Sequence, residues 1–371
     1  MSKTFYYFVI NIGLQKVAFD FIGIFGVLYL YVLFGNSVEL SIGLLSLTYI
    51  LDPFFAFLFL PTLQKLGMKR SIILGGCISI LSVIPMSFFY TKLWWVFLIW
   101  VCLAAITKVF YYIPYHYYNV KMTEGHPMGK EFSKVNAVIL FLSILTPVVG
   151  GIVTEIWGVS GVVVLAMVFA IFAVIPLFKI DDYRFQLSKN MMELISQPDL
   201  QQTLKILVID EFQAKEVFWQ CFVFIAVGAS FSQFGILMSA VTLLTIPLMF
   251  YFGRFCDHHN KKWLMRFQGL IASVLWFARL FITSIYQIIF VDIIHKVNYN
   301  VRGQTMGIVL YDLATKDKQE LLLDEKIIIR EVFDNLALGL GLLSGVVIYY
   351  FFGFPGVFAF AGIVALLFTR T

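Results

Sequence analysis

A bilayer core about 30 Å thick takes about 20 helical residues per crossing, and apolar runs of that length recur from one end of this chain to the other. Twelve can be placed, near residues 8–34, 38–63, 71–90, 93–119, 134–157, 161–180, 206–230, 234–255, 264–284, 286–311, 329–351 and 353–370, the first, seventh and tenth carrying charge within the run. In lipid a backbone N–H or C=O finds no water, so runs this long must close their hydrogen bonds as helices. The expected fold is therefore all-α and integral to the membrane. With 60% hydrophobic and 13% charged residues, the composition lies far from that of a soluble domain.

The charges orient the runs. With the N-terminus inside, inner loops hold Lys65, Lys69 and Arg70; Lys121, Lys130 and Lys134; Lys179, Arg184, Lys189 and Lys205; Arg254, Lys261, Lys262 and Arg266; and Lys316, Lys318, Lys326 and Arg330, whereas outer loops hold only Lys92. This excess places both termini in the cytoplasm of a plasma or inner membrane. The opening "MSKTFYYFVINIGLQ" has no cleavage pattern and reads as entry to an uncleaved first span. A formal charge of +5 spread over short loops is not the basic face that nucleic acid requires. Cys77, Cys102, Cys221 and Cys256 stand singly and form no disulfide or metal spacing.

The longest polar interruption, 181–203, divides the chain into units 1–180 and 204–371 joined by a cytoplasmic linker, and the two units share patterns. "IGLL" at 42–45 matches "FGIL" at 234–237, with the same interval from Gly43 to Lys69-Arg70 as from Gly235 to Lys261-Lys262. "ITKVFYY" at 106–112 matches "IHKVNYN" at 294–300, and "WGVSGVVVLA" at 157–166 matches "FGFPGVFAFA" at 352–361. Each pairs span n with span n+6. A parallel repeat of this kind puts a binding site at midplane between two bundles.

The chain here resembles the major facilitator superfamily. "GRFCDHHNKK" is similar to that family's loop motif at Gly253, Asp257, Lys261 and Lys262, with Asn260 in the turn position. "LPTLQKLGMKR" keeps Gly67, Lys69 and Arg70 but has Gln64 in place of the motif's Asp. "TPVVGG" resembles the end of a motif of exchanger-type members, which marks Pro147, Gly150 and Gly151 as a helix kink. The resemblance implies two pseudo-symmetric six-helix bundles, with spans one, four, seven and ten lining a central cavity.

Charges inside spans need a partner or a function, because a lysine at a helix centre costs about 2.5–3.5 kcal/mol to insert. Lys108 and Lys296 occupy matching places in spans four and ten. Asp20 follows Lys16, and Asp292 precedes Lys296, by one helical turn, so each pair can meet on its own helix. Lys108 has no such neighbour. Its partner is either Asp20 or Asp52 from another span, in a static ion pair, or an anionic substrate. Tyr111 and Tyr115 share its face, and with Tyr299 they join the two lysines as candidate substrate contacts. Asp20, Asp52, Asp292 and His295 are candidates for proton coupling or ion pairing. Arg279 either serves a gate or snorkels to the headgroups.

No nucleophile elbow, phosphate-binding loop or hydrolytic carboxylate pair is present, so no enzymatic activity and no cofactor is expected. "DHHNKK" lacks further ligands nearby and is not expected to hold a metal. The expected function is secondary active transport by alternating access, coupled to protons, of a small anionic or zwitterionic solute, by a monomer embedded in lipid. Alternatives are an exporter of amphipathic compounds and a non-transporting sensor or lipid-handling protein of the same fold.

Overall fold

The computed structural model describes residues 3–123, 129–184, 191–213, 215–257, 261–316 and 323–370, with side chains described for most of these. Among them the chain is helical throughout: α1 Lys3–Leu33, α2 Val38–Ile50, α3 Asp52–Val83, α4 Trp94–Thr123, α5 Gly129–Leu177, α6 Met191–Ile195, α7 Pro198–Gln213, α8 Glu216–Ala226, α9 Phe231–Asp257, α10 Lys261–Ala278, α11 Ile285–Lys316 and α12 Leu323–Leu366. Among the described residues seven stretches are long and apolar enough to cross a membrane: 3–33, 38–91, 94–119, 144–177, 231–248, 263–281 and 324–369. Two of these, 38–91 and 324–369, have room for two crossings. α7–α8 and α11, which carry internal charges, fall outside the seven.

Glycine makes the divisions inside the long stretches. Gly67 (φ 78°, ψ 171°) breaks α3, Gly158 (φ 66°, ψ −168°) breaks α5 and Gly353 (φ 62°, ψ −161°) breaks α12. This corner of dihedral space is open essentially only to glycine. Gly158 and Gly353 are the matched glycines of "WGVSG" and "FGFPG", so the repeat seen as letters is also a repeat of backbone geometry. Each turn folds tightly: a Cβ on Gly161 would lie 2.9 Å from Trp157 Cβ, and one on Gly356 would lie 2.3 Å from Phe352 Cβ.

The "IGLL" and "FGIL" glycines do different work. A Cβ on Gly43 would meet nothing within 4 Å, whereas one on Gly235 would lie 2.2 Å from the Pro147 carbonyl oxygen. Here α9 crosses α5 in near backbone contact. Pro147 has no N–H, which weakens the hydrogen-bond ladder of α5, and Ser239 enters the gap: its hydroxyl donates to Ile144 O (2.6 Å) and accepts from Val148 N–H (3.1 Å). Gly150 leaves room for the Phe25 ring of α1, and Gly151 for the Phe231 carbonyl of α9. Pro147, Gly150 and Gly151 thus form a packing seam, while the break in α5 falls eleven positions beyond Pro147, at Gly158.

Buried apolar clusters join early and late helices at both ends of the molecule. One unites Phe21, Phe25 and Tyr31 of α1 with Phe218 and Phe224 of α8 and Phe234 of α9; the other unites Phe8 of α1, Ile72 of α3 and Tyr118 of α4 with Ile327, Ile328 and Val332 of α12.

Candidate functional site

Polar and charged groups are buried on nearly every long helix, Asp52 of α3, Asp292 and His295 of α11 and Glu331 of α12 among them. α4 carries Lys108. Its ammonium donates to the Thr48 carbonyl (3.1 Å) and hydroxyl (3.3 Å) and stands 3.0 Å from the centroid of the Tyr49 ring. Thr48 lies in the last turn of α2, where helix carbonyls lose their intrahelical partners. Pro53, just beyond, removes a further donor. Asp52, fully buried at the start of α3, and Glu331 of α12 lie within electrostatic reach of Lys108. No direct ion pair forms, and neither oxygen of Asp52 has a hydrogen-bond partner among the described residues. The lysine is therefore held chiefly by neutral groups, an arrangement outside both sequence-based alternatives.

Lys296 of α11 follows the same pattern. It donates to Thr242 Oγ1 of α9 (2.9 Å) and lies 3.5 Å from Met238 O. Each lysine thus uses a threonine hydroxyl and a carbonyl on the second span of its own half. The local Lys296–Asp292 pair expected from helical spacing is replaced by longer-range contacts. Asp292 accepts from Trp219 Nε1 (2.5 Å) and lies 3.6 Å from Arg279. Lys16 and Asp20 do meet, at 3.0 Å, and both lie within electrostatic reach of Lys296 across from α1.

The tyrosines sort differently from their spacing. Tyr111 is buried in the first-half core with its hydroxyl donating to Asn11 Oδ1 (2.8 Å), which commits it to packing. Tyr112, one residue on, stacks on Phe19 and faces Tyr49, Glu331 and Asp20. Tyr115 is half-buried against Tyr111, and Tyr299 is half exposed beside His295.

Several partners in the polar interior, Glu216, Glu331 and Lys215 among them, are not singled out by the sequence pattern. His116 of α4 contacts Glu331 of α12 at 3.1 Å, and Asn335 donates to Glu331 (3.0 Å). His295 contacts Glu216 of α8 at 2.7 Å. Arg302 pairs with Asp210 at 2.7 Å, and the carboxyls of Asp334 and Glu211 lie within electrostatic reach of each other. Lys215, wholly buried in the break between α7 and α8, donates to Gly341 O. The signal was present in "IDEFQAKEVFW", four charges inside a run otherwise fit to span. Arg279 neither snorkels nor reaches water. It is 2% exposed, between Trp219 and Trp276 at 4.4 and 3.9 Å.

At the end of the molecule holding residue 3, Gly67 reverses the chain and the segment after α5 docks onto it. Met68 N–H donates to Tyr183 O (2.9 Å) and Lys69 N–H to Asp182 Oδ1 (3.1 Å). Asp182 thus supplies a carboxylate at the start of the helix that follows Gly67. Arg70 is exposed. The side chains of the second copy, Gly253, Asp257, Lys261 and Lys262, lie outside the described residues, as does Asn260 entirely; the backbone there ends α9 and begins α10.

Residues 217–369 match the family model described as Major Facilitator Superfamily. Over 99% of this chain and 98% of the other, the structure superposes on that of the human organic anion transporter MFSD10 (TETRAN), with TM-score 0.70 and 13% identity. It has the major facilitator fold. A D-xylose-proton symporter superposes over 100% of this chain and 97% of the other (TM-score 0.73, 13% identity). A POT family transporter in complex with 5-aminolevulinic acid does so over 98% and 94% (TM-score 0.71, 11% identity). No curated protein matches the chain by sequence. In this major facilitator fold the family model falls on the second half, and the structural matches extend the likeness over the first.

Proposed function

We propose that the chain is a secondary active transporter that moves a small anionic or zwitterionic solute by alternating access, coupled to protons. Its units are 1–180 and 204–371, joined by linker 181–203, in a plasma or inner membrane with both termini cytoplasmic. The observation that carries the reading is the treatment of Lys108 and Lys296. Each ammonium sits inside a polytopic bundle on matching helices, held by a threonine and a carbonyl instead of a direct carboxylate bond, so its charge remains available to an anion. Intramembrane ionisable groups that are not tied into static pairs mark substrate and proton paths. The fold and the family model over the second half support transport as the general activity.

Support for proton coupling comes from the acidic groups. Asp334 and Glu211 lie within electrostatic reach of each other inside the bundle, and intramembrane carboxyls of this kind mark proton paths. Asp52 is buried without a hydrogen bond, and Asp20 lies between Lys16 and the field of Lys296. Asp292 and His295 are tied to Arg279, Trp219 and Glu216 and act in this reading as the ion-pair framework of the second half. The test is uptake into proteoliposomes from a panel of anionic, zwitterionic and neutral solutes, with and without a pH gradient. Lys108→Ala and Lys296→Ala should each lower uptake of the transported solute at least tenfold while leaving membrane insertion intact. Unchanged uptake by both variants would refute the assignment.

A further inference from the structure

The surroundings of Lys108 are those of a bound ammonium ion. A carbonyl and a hydroxyl from Thr48 accept its protons, the Tyr49 ring presents its face at 3.0 Å, and Asp52 and Glu331 supply negative field. An aromatic face with oxygen acceptors and nearby carboxylate is the chemistry by which proteins hold amines. The place the ammonium now fills is poor for an anion, which would there approach both carboxyls, so the lysine meets an anion by moving out of it. Asp52 adds the second observation. It is 0% exposed and neither of its oxygens has a hydrogen-bond partner among the described residues, leaving capacity that Lys108 does not use.

We propose that this pocket is the amine subsite of a zwitterionic solute and that Lys108 occupies it as a tethered surrogate. When solute arrives, its carboxylate draws the lysine away from Thr48 and its ammonium enters the place vacated, between Tyr49 and Asp52. One positive charge leaves the pocket as another enters, so the charge beside Asp52 is kept, and no covalent bond changes. The lysine reports occupancy by moving, which couples binding to the contacts among α2, α3, α4 and α12. The solute class rests on the transport reading above; the ammonium pocket does not.

The test is chemical rescue. Lys108→Ala removes three methylenes and an ammonium, the same atoms that propylammonium carries. Propylammonium should raise the thermal unfolding midpoint of purified Lys108→Ala by about 2 °C at ten times its dissociation constant. It should leave the wild type unmoved and bind the double variant Lys108→Ala/Asp52→Asn at least tenfold more weakly. Propanol, which lacks the charge, should do nothing. Equal effects of propylammonium on wild type and variant, or of propanol and propylammonium, would overturn the pocket. Should Lys108→Ala fail to fold, the wild type still decides the matter: 5-aminolevulinic acid should stabilise it and levulinic acid, which lacks only the amine, should not, equal stabilisation by both counting against the proposal. Rescue without solute uptake in proteoliposomes would leave the pocket standing and remove transport; uptake without rescue would do the reverse.

Discussion

Gly43 and Gly235 are equivalent letters in the internal repeat, yet an alanine should have opposite effects at the two. At Gly235 the new Cβ would lie 2.2 Å from Pro147 O, 3.0 Å from its carbonyl carbon and 3.3 Å from Gly151 Cα. All three are backbone atoms, so no side chain can turn aside, and ordinary contact at about 3.4 Å requires α9 to retreat from α5 by about 1 Å. Overpacking of this kind costs about 1–3 kcal/mol. The retreat also strains the two bonds of Ser239 to Ile144 and Val148, and side-chain bonds between membrane helices are worth about 0.6 kcal/mol each. The expected loss for Gly235→Ala is therefore about 2–4 kcal/mol. At Gly43 the Cβ would meet nothing within 4 Å, and replacing a helical glycine by alanine gains about 0.5–1 kcal/mol. Thermal unfolding of the purified variants in one detergent reads both, with Gly235→Ala melting below the wild type and Gly43→Ala at or above it. Equal destabilisation by the two, or a Gly235→Ala variant as stable as the wild type, would refute the reasoning.

Alanine at Gly158 or Gly353 must adopt a backbone that residues with a Cβ rarely enter, so each should cost about 1–3 kcal/mol, and by similar amounts, when unfolding is followed in detergent. Asp182→Ala should remove a helix-start cap worth about 1 kcal/mol and speed proteolysis of the linker, measured by limited trypsin digestion. Glu331→Gln should weaken the His116 contact that joins α4 to α12 by about 1.5–3 kcal/mol, measured as faster labelling of a cysteine placed at Tyr115.

How much of this was legible in the letters depended on whether a signal was local. The apolar runs show because a crossing needs about 20 contiguous residues whatever its neighbours. The Gly158 and Gly353 turns show as a repeat because one backbone requirement selected one residue type twice. Lys16 and Asp20 meet, as their spacing on one helix allows. Lys296 and Asp292 have the same spacing but take other partners. There Trp219, Arg279 and Thr242 arrive from three other helices and divide the pair between them. Tyr111 and Tyr112 could not be told apart by spacing, since a difference of 100° around the helix decides which faces Asn11 and which faces Asp20.

Hydropathy by itself determined that the chain is a helical membrane protein, and where its apolar runs and the lysines within them sit, because these follow from transfer free energies summed along one dimension. Only the tertiary structure decided what those lysines touch. It also showed that Asp182 caps the helix that follows Gly67, and that Gly235 carries a helix crossing while Gly43 does not. The reason is range: a buried charge is balanced by whatever lies within a few ångströms, and here those groups come from helices up to hundreds of residues away in the chain.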